Sequence, residues 1–558
     1  MEGFVPSFNH NRLHQPDHGI FLSPCGDPAE FCNQFPAEIP ADREKLYGAC
    51  SIESFRAAGA LHEAHQDAGG FLDEVDRYDT PNFWRRDASV KSWIFAEGPE
   101  ADTQGQDLSD DMDSVRVFYH SGHGAMDNEG AFHVPMGALW EGGGATASSR
   151  QMRFGARSLR YLFWSASQSL RVSEGHSPIC TWGQANQGAR MMFGFGGSSW
   201  DSGNYGRYFW QHWRMGKTFS QSWLDASWDV SHAQSPVVVA CGASSDQAAQ
   251  RLFGENRLHS ERAQTDWWWW RWYEPEPRLV REPLEEPPAD FGLLRLIPAA
   301  EDGAIAQSVI EHLGFARRGQ IDPEGLKLRQ GQIELACMPD GRVSLLLERS
   351  GRAQFPHVRL HRRLLVARAR AALRRYGFVH PDIDLVFDRV ALGMSCAATM
   401  QGSGQVIPRA IDEVIVQFRQ AVNGVPIISP EAGAVRVALA CDGTVLRIDS
   451  SLRRVASIKQ SRAMSLQRPA DGIDPGLSGN QHGLRQIHDD MAQISARLLR
   501  DLSARGAAPL QLRLLPGQSE LGYSIRSNTG RMTARQGIEI ECAKGFRKCS
   551  WISSSIDD

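Results

Sequence analysis

The stretch DSVRVFYHSGHG at residues 113–124 is an apolar run that ends in small residues around a histidine. The stretch SLRYLFWSASQSL at residues 158–170 has the same order, and two shorter apolar runs follow it. Short apolar runs closed by turn residues are typical of strands that are buried on both faces of a mostly parallel sheet. They alternate with helical patterns, which predicts an α/β domain. The predicted strands are Val115–Tyr119, Leu159–Trp164, Met191–Phe195 and Val237–Ala240.

The overall composition is that of a soluble globular protein with more than one domain. The chain has 558 residues, of which 42% are hydrophobic and 22% are charged, and two or three domains are expected at this length. A net charge of −5 gives no electrostatic reason to expect nucleic acid or an anionic membrane as a partner. No apolar segment reaches the length of a membrane span, and the N-terminus lacks the pattern of a signal peptide. We therefore predict a cytoplasmic protein that binds neither nucleic acid nor membrane.

Ten cysteines are spread along the chain at irregular spacing. None forms a Cys-x-x-Cys pair or a Cys/His group at zinc-finger spacing. Without a leader sequence, buried free thiols are favoured over disulfides, although the even number permits pairing. The sequence therefore predicts no metal site and no cofactor.

His123 is the strongest candidate for a catalytic base. Glycines on both sides of it allow a tight turn, and parallel sheets carry their functional groups at the carboxyl ends of strands. An imidazole placed there can accept a proton from a nucleophile near neutral pH. A lone histidine is more often structural, and the chain has 18 histidines, but the glycines and the strand end favour a functional role. His120, inside the same predicted strand, is predicted to be a packing residue.

Ser167 occupies the equivalent place after the second strand, in the segment SASQS at residues 165–169. The two strand ends together resemble those of caspase-like (clan CD) cysteine peptidases. In that family, the strand after the histidine strand ends in Ala or Ser, followed by the catalytic cysteine. The stretch GARMMFGFGG at residues 188–197, with helices predicted near 205–215 and 219–228, is similar to the next strand and helices of the family. The resemblance covers about residues 45–245 and places serine in the cysteine slot.

The resemblance implies an α/β caspase-like sandwich, that is, a mostly parallel sheet flanked by helices. It also implies an endopeptidase that hydrolyses a protein or peptide substrate through a His/Cys dyad, here His123 and Ser167. Backbone N–H groups of residue 167 and of the turn that contains Gly124 would then form the oxyanion hole. Cys180 is the other conceivable nucleophile, but it follows no strand end and is better explained as a structural residue.

Serine at position 167 changes what the dyad is expected to do. A thiol ionises readily beside an imidazole, whereas serine peptidases rely on a buried acid that orients the histidine. We therefore expect Ser167 to be inactive or nearly so. An engineered cysteine-to-serine change is the favoured explanation. A natural pseudoprotease that acts as a protein-binding module is the alternative, and an active serine enzyme ranks third.

Asp201 is the candidate for substrate recognition. It lies in the loop after the Met191–Phe195 run, where separase-like members of the resembled family place an acid. This position favours cleavage after a basic residue, although an aspartate in a Ser/Gly turn is also common at protein surfaces. The acid that metacaspases carry two residues before the nucleophile is replaced by Ser165. The preference for a basic or an acidic residue therefore stays open.

The stretch TDWWWWRWYEPEPRLVREPLEEPPADFG at residues 265–292 marks a change in character. Its five tryptophans cannot all point into one core, so we predict an aromatic clamp between domains, with a ligand-stacking platform as the alternative. The part rich in Pro and Glu is typical of a linker. The predicted domains are an irregular arm (1–44), a peptidase domain (45–273), a linker (274–290) and a C-terminal region (291–558).

The C-terminal region is predicted to be α+β, with up to three units that each contain a helix followed by an antiparallel meander. The predicted helices are Ile305–Gly314, Leu364–Gly377 and Ile487–Ala504. Asn-Gly at 423–424 and Asp-Gly at 442–443 predict tight hairpin turns. The stretch around NGVPI at 423–427 resembles the FTP and PepSY modules of thermolysin-type propeptides. That resemblance implies a regulatory region that contacts the peptidase domain of the same chain.

Overall fold

The computed structural model describes most of the chain. The described residues are 45–55, 58–96, 110–137, 146–275, 292–315, 325–347, 361–400, 406–460, 511–542 and 545–555, with helical positions at 493, 496, 497 and 500. The predicted arm at 1–44, most of the predicted linker and most of the predicted helix Ile487–Ala504 lie outside these residues.

The N-terminal half, up to residue 275, contains strands and helices in alternation. The strands are β1 (Tyr47–Ser51), β2 (Phe83–Arg86), β3 (Val117–Ser121), β4 (Ala125–Met126), β5 (Phe132–Pro135), β6 (Thr146–Ser148), β7 (Tyr161–Ser165), β8 (Met191–Phe195), β9 (Pro236–Gly242) and β10 (Trp267–Pro275). The helices are α1 (Ala64–Val75), α2 (Pro178–Trp182), α3 (Tyr205–Arg214), α4 (Phe219–Val230) and α5 (Ser245–Gly254). The four predicted strands correspond to β3, β7, β8 and β9, and the two predicted helices to α3 and α4, so these predictions are confirmed.

The C-terminal half is dominated by long antiparallel strands. The strands are β11 (Gly292–Leu296), β12 (Leu326–Gln330), β13 (Ile333–Cys337), β14 (Val343–Leu346), β15 (Asp384–Thr399), β16 (Val406–Val422), β17 (Val425–Pro426), β18 (Ala434–Leu439), β19 (Val445–Ser450), β20 (Val455–Gln460), β21 (Gln511–Arg526), β22 (Thr529–Glu541) and β23 (Arg547–Ser555). The helices α6 (Ala304–Leu313) and α7 (Arg362–Arg375) confirm two of the predicted helices. Asn423 and Gly424 have φ values of 51° and 80° between β16 and β17, which confirms the predicted tight turn.

One mixed sheet of 15 strands runs through both halves. Its order is β12-β13-β14-β19-β18-β16-β15-β10-β9-β8-β7-β3-β1-β2, with β17 paired to β16. Neighbouring strands from β8 to β2 are parallel, whereas the pairs from β8 through β9, β10 and β15 to β16 are antiparallel. The smaller sheets are β20-β11-β22-β21, with β23 paired to β22, and β4-β5-β6.

The predicted fold class is therefore wrong. The sequence predicted a helix-flanked, mostly parallel sandwich followed by a separate α+β region, but strands account for 42% and helices for 22% of the structure, and the large sheet is mixed. The helices α1, α3, α4 and α5 contribute to the hydrophobic core of one face. In the described part of the chain, the other face is covered by the β4-β5-β6 sheet and by short helical turns. The antiparallel strand β9 is buried along its whole length, so its apolar run looks like that of a parallel strand.

The tryptophan-rich stretch is strand β10, at the seam between the two halves. It pairs with β9 on one side and with β15 on the other. Successive side chains of a strand point to opposite faces. Accordingly, Trp268, Trp270 and Trp272 pack in the core of one face, and Trp269 and Tyr273 pack in the core of the other. The stretch lies between the halves as a shared strand of one sheet, not as a clamp between two separate surfaces.

The remaining sequence predictions concern thiols, metals and membranes. The eight described cysteines are free. Among the residues that the structure describes, no group of three or more His, Cys, Asp or Glu side chains is arranged to hold a metal ion. None of the described helices has the length and apolar character needed to cross a membrane.

Candidate functional site

The carboxyl ends of strands β3 and β7 lie side by side, and the predicted dyad follows them. The two strands run parallel, with Ser121 opposite Ser165 in the register, and the Gly122 N–H donates to the Ser165 carbonyl at 3.3 Å. His123 and Ser167 follow two residues after the paired serines. Because the carboxyl ends of neighbouring parallel strands meet at one edge, the fold brings these two predicted residues into the same region.

Gly124 lies directly against the backbone of Ser167. A Cβ atom at residue 124 would come within 2.7 Å of the Ser167 carbonyl oxygen and within 2.6 Å of the Phe132 ring. Both contacts are shorter than real Cβ atoms make, so only glycine allows the two backbones to approach this closely. The predicted oxyanion residue is therefore next to the predicted nucleophile, while a role for its N–H group stays a prediction.

His123 is buried in the neutral form. Its Nε2 lies 2.8 Å from the Gly59 carbonyl oxygen, and because a carbonyl only accepts, Nε2 carries the proton. Nδ1 is therefore the basic atom. It is buried and makes no hydrogen bond of good geometry with the described residues, although the backbone of Arg547 lies near the ring. Burial, together with the charge of Lys548, lowers the pKa of His123 to about 3.

Ser167 is fully buried and has three polar neighbours. Its hydroxyl donates to the Arg547 carbonyl oxygen at 2.6 Å, accepts from the Ser199 N–H at 3.0 Å, and lies 3.2 Å from the Ser199 Oγ. The next residue, Gln168, has a φ of 59°, a left-handed conformation that is uncommon for residues other than glycine.

The beginning of β23 enters this site. Residues 545–549, called the hairpin tip from here on, are the two residues before β23 and its first three residues, which include Arg547. Cys549 pairs with the loop after β8: its N–H donates to the Ser199 carbonyl at 2.9 Å, and its carbonyl accepts from the Asp201 N–H at 2.7 Å. The loop after β8 and the hairpin tip therefore line the same site.

The side chain of Lys548 fills a small polar pocket beneath the hairpin tip. It is 3% exposed, and its Nζ donates to the carbonyl oxygens of Gly122 at 3.1 Å and Ser165 at 3.2 Å. Burial lowers the pKa of Lys548, while the negative charges of Asp201 and Asp67 oppose that shift. The pocket thus combines carbonyl oxygens with negative charge, which favours a cation over an anion or an apolar group.

Asp67 on α1 is a member of this pocket that the sequence interpretation missed. Its buried carboxylate accepts hydrogen bonds from the hydroxyl groups of Tyr119 at 2.9 Å and Ser121 at 2.8 Å, and from the Gly206 N–H at 2.9 Å. Burial raises the pKa of Asp67, and these hydrogen bonds oppose the rise. The available sequence signal, one acid among small and apolar helix residues, is not specific enough to identify a pocket.

Asp201 also reaches this region, where its carboxylate has structural partners. The backbone N–H groups of His62 and Glu63, just before α1, donate to it at 2.9 and 3.3 Å. Its charge acts on Lys548 as well. All four residues predicted for the site therefore lie in one region, with Asp201 anchoring the start of α1 in addition to contributing charge.

The other candidates considered from the sequence lie elsewhere or have structural roles. His120 packs against Phe95 and Trp164, with ring centroids 5.3 and 5.4 Å away, which confirms it as a packing residue. Cys180 is exposed in the short helix α2. Cys241 is buried in β9, and burial raises the pKa of its thiol.

The N-terminal half is similar to a known family of proteins. A family model described as "Domain of unknown function (DUF6345)" matches residues 49–273. The match begins within β1, ends within β10 and includes both strand ends of the candidate site, but not the hairpin tip. No curated protein of similar sequence was found.

The buried histidines predict a loss of stability in acid, as the pH falls from about 6.5 to about 3. Burial lowers the pKa of His120 and of His123 to about 3, whereas both rings return to an ordinary pKa near 6.5 on unfolding. The unfolded chain therefore binds protons first, and acid favours it. Replacing His120 with Phe should reduce the fall in Tm between about pH 7 and pH 4. The control His361→Gln, at an exposed position, should leave the fall in Tm unchanged. If His120→Phe also leaves it unchanged, the buried histidine is not the cause of the acid sensitivity.

Proposed function

We propose that the N-terminal half is a peptide hydrolase, with His123 as the base and residue 167 as the nucleophile. The resemblance of the two strand ends to caspase-like peptidases supports this function, although the sheet as a whole differs from the sandwich of that family. The main support is an extended peptide, the hairpin tip, whose Arg547 carbonyl oxygen lies 2.6 Å from the Ser167 Oγ. A site that holds one peptide carbonyl at this point can hold the carbonyl of a substrate in its place.

The proposed reaction starts with transfer of the Ser167 proton to Nδ1 of His123, while Oγ attacks the substrate carbonyl carbon. The C–N bond then breaks as the leaving amine takes that proton, and an acyl ester remains on residue 167. Water, deprotonated by the same imidazole, hydrolyses the ester and restores the hydroxyl. With cysteine at position 167, the same steps pass through a thioester and begin from a more readily ionised group.

The Gly59 carbonyl holds His123 in the tautomer that this reaction needs. It accepts the Nε2 proton at 2.8 Å, which leaves Nδ1 available as the base. A neutral carbonyl stabilises the imidazolium less than the buried carboxylate of serine peptidases does. The pair therefore suits a thiol better than a hydroxyl, in line with the expectation that Ser167 is a silenced nucleophile, either engineered or natural.

We propose a basic side chain as the feature that the site recognises in its substrate. The Nζ of Lys548 lies 3.1 and 3.2 Å from two carbonyl oxygens, and Asp67 and Asp201 add negative charge. An aspartate side chain in the same pocket would meet like charges, which costs several kcal/mol. Of the two preferences left open by the sequence, this pocket supports the basic one.

A second candidate function is peptide binding without hydrolysis. It is favoured by the hydrogen bond that the Ser167 hydroxyl donates to the Arg547 carbonyl oxygen. In the described part of the chain, no hydrogen bond joins His123 to Ser167 directly. The same pocket would then bind a basic peptide and leave it intact.

A Ser167→Cys variant separates the two candidates. In the Lys548→Ala background, we expect it to cleave fluorogenic peptides after Arg or Lys faster than after Asp, and chains with Ser167 to show little or no turnover, because a thiolate is the better nucleophile. Ser173→Cys, in an exposed turn, is the matched control for an added thiol. Each variant is also made with Lys548→Ala, which empties the pocket. Absence of cleavage in both backgrounds, with circular dichroism unchanged, would leave only the binding function.

We further propose that the protein acts on a protein or peptide in a reducing compartment such as the cytoplasm. The eight described cysteines are free, and six of them are buried. Free thiols persist where the surroundings keep them reduced.

A further inference from the structure

We propose that the hairpin tip is a built-in inhibitor, which occupies the candidate site with its chain direction opposite to that of a substrate. The term inhibitor rests on the proposed hydrolase function, whereas the occupation of the site does not. Displacement of the hairpin tip is then the event that opens the site to a peptide from outside.

The hairpin tip closes the site to solvent. Ser167 is 0% exposed, His123 is 1% exposed and Lys548 is 3% exposed. A substrate must reach both the nucleophile and the base, so it cannot bind while the hairpin tip is in place. The pocket for a basic side chain is filled at the same time, by a lysine of the protein itself.

The backbone of the hairpin tip makes the contacts expected of an extended ligand. Cys549 joins the loop after β8 through two main-chain hydrogen bonds, to the Ser199 carbonyl at 2.9 Å and from the Asp201 N–H at 2.7 Å. Extended peptides dock on exposed backbone edges by this kind of pairing, with side-chain pockets providing specificity. The hairpin tip therefore uses both the backbone edge and the side-chain pocket that a substrate would need.

The chain direction explains why the hairpin tip is held and not cleaved. When a hydrolase cleaves after a basic residue, that residue supplies both the side chain in the pocket and the carbonyl at the nucleophile. From pocket to nucleophile, such a substrate runs from its N- to its C-terminus. Here the carbonyl at Ser167 belongs to Arg547, and the side chain in the pocket belongs to the following residue, Lys548. The hairpin tip thus runs from nucleophile to pocket, in the opposite direction.

The hydrogen bond of the nucleophile is also unproductive. The Ser167 hydroxyl donates its proton to the Arg547 carbonyl oxygen at 2.6 Å, and the attacking oxygen must instead lose that proton to a base. The available base atom, Nδ1 of His123, makes no hydrogen bond of good geometry with any described residue. The bound carbonyl therefore keeps the nucleophile protonated.

Contacts on both sides of the site fasten the hairpin. Trp551 on β23 stacks on Trp200 with ring centroids 4.4 Å apart. On the other side, the Gly59 N–H donates to the Cys542 sulfur at 3.0 Å. The Gly59 carbonyl is also the partner of His123, so one residue holds both the proposed base and the hairpin that covers it.

Replacing Lys548 with alanine is expected to open the site, because it removes the buried charge and the carbon chain that fill the pocket. In a Ser167→Cys background, we expect alkylation of residue 167 by iodoacetamide to become at least about tenfold faster. Site-resolved mass spectrometry measures this rate, with the exposed Cys180 as an internal reference. Lys459→Ala, at an exposed position of β20, is the matched control and should leave the rate unchanged.

A second variant distinguishes opening of the site from a loss of folding. Trp551→Ala removes the stacking on Trp200 and leaves the pocket itself intact. We expect faster hydrogen exchange at the amides of Asp201 and Cys549, whose hydrogen bonds hold the hairpin tip. Circular dichroism reports whether each variant is folded. If both variants are folded and neither alkylation nor exchange becomes faster, the hairpin tip is not the element that closes the site.

Peptide hydrolysis separates a failure of this proposal from a failure of the hydrolase function. Faster alkylation together with faster hydrolysis in the Ser167→Cys, Lys548→Ala protein supports the inhibitor role of the hairpin tip and the hydrolase function. Faster alkylation without hydrolysis refutes the hydrolase and retains the hairpin tip as the occupant of a binding site. Hydrolysis by the Ser167→Cys protein that is equally fast with and without Lys548→Ala refutes the inhibitor role.

Discussion

Replacing His123 with glutamine is expected to lower kcat/KM for peptide hydrolysis by the Ser167→Cys, Lys548→Ala protein about 10²–10⁴-fold. Glutamine retains a side-chain N–H that can donate to the Gly59 carbonyl, the partner of Nε2, so the turn should survive. It has no atom that accepts a proton near neutral pH. A fall in kcat/KM would therefore result from the missing base and not from a disturbed end of β3.

The pH profile of the same proteins gives a second readout. In the closed site, burial and the charge of Lys548 lower the pKa of His123 to about 3. Displacement of the hairpin tip weakens both causes, so the pKa should rise toward its ordinary value near 6.5. The fall of kcat/KM in acid should then have an apparent pKa between about 3 and about 6.5, and it should be absent in His123→Gln. His361→Gln, at an exposed position, should behave as the parent, and unchanged turnover in His123→Gln would place the base elsewhere.

The two strand ends of the candidate site could be predicted because their signals are local. Each lies within a few residues of an apolar run, and a glycine beside His123 indicates a place where two backbones can approach closely. Gly124 is such a place, since a Cβ atom there would collide with the Ser167 backbone. Local pattern was therefore sufficient to predict that His123 and Ser167 lie in the same region.

The occupant of the site could not be predicted, because it comes from the far end of the chain. The hydrogen bond between Ser167 and Arg547 joins residues separated by 380 positions. Hydrophobic periodicity identifies a strand and its buried faces, but it does not say which other surface its end will meet. The sequence around Lys548 does not indicate its burial either, because a lysine near a turn is normally solvated.

The fold class was missed for a related reason. Burial on both faces is what a run of apolar residues indicates, and β9 meets that condition while pairing antiparallel to β8. Strand direction depends on how distant segments pair, and β10 continues the sheet into the C-terminal half by pairing with β15. Trp268 and Trp269 pack into two different cores, but a run of consecutive tryptophans shows no strand period in the sequence.

A buried ion-pair network crosses the seam that β10 forms. Glu413 on β16 is 0% exposed, and its carboxylate lies 2.8 Å from Arg271 on β10 and 2.7 Å from Arg447 on β19. The Tyr273 hydroxyl donates to the same carboxylate at 3.0 Å. Burial alone would raise the pKa of Glu413, but the charges of Arg447 and Arg271 outweigh it and the pKa is lowered. The carboxylate is therefore ionised and shared between strands of both halves.

Glu413→Ala is expected to lower the free energy of unfolding by about 3 kcal/mol, because it removes the carboxylate that two buried arginines share. Arg271 keeps its ion pair with Asp412, and Arg447 keeps its ion pair with Asp449. The matched control, Glu129→Ala, removes one partner of an exposed pair with Arg150 and should cost less than about 1 kcal/mol. Denaturant unfolding followed by tryptophan fluorescence measures both, since the tryptophans of β10 lie at the seam. A single transition shifted to lower denaturant would show that the network couples the halves. A cost as small as that of the control would mean that backbone pairing between β10 and β15 holds the seam without the network.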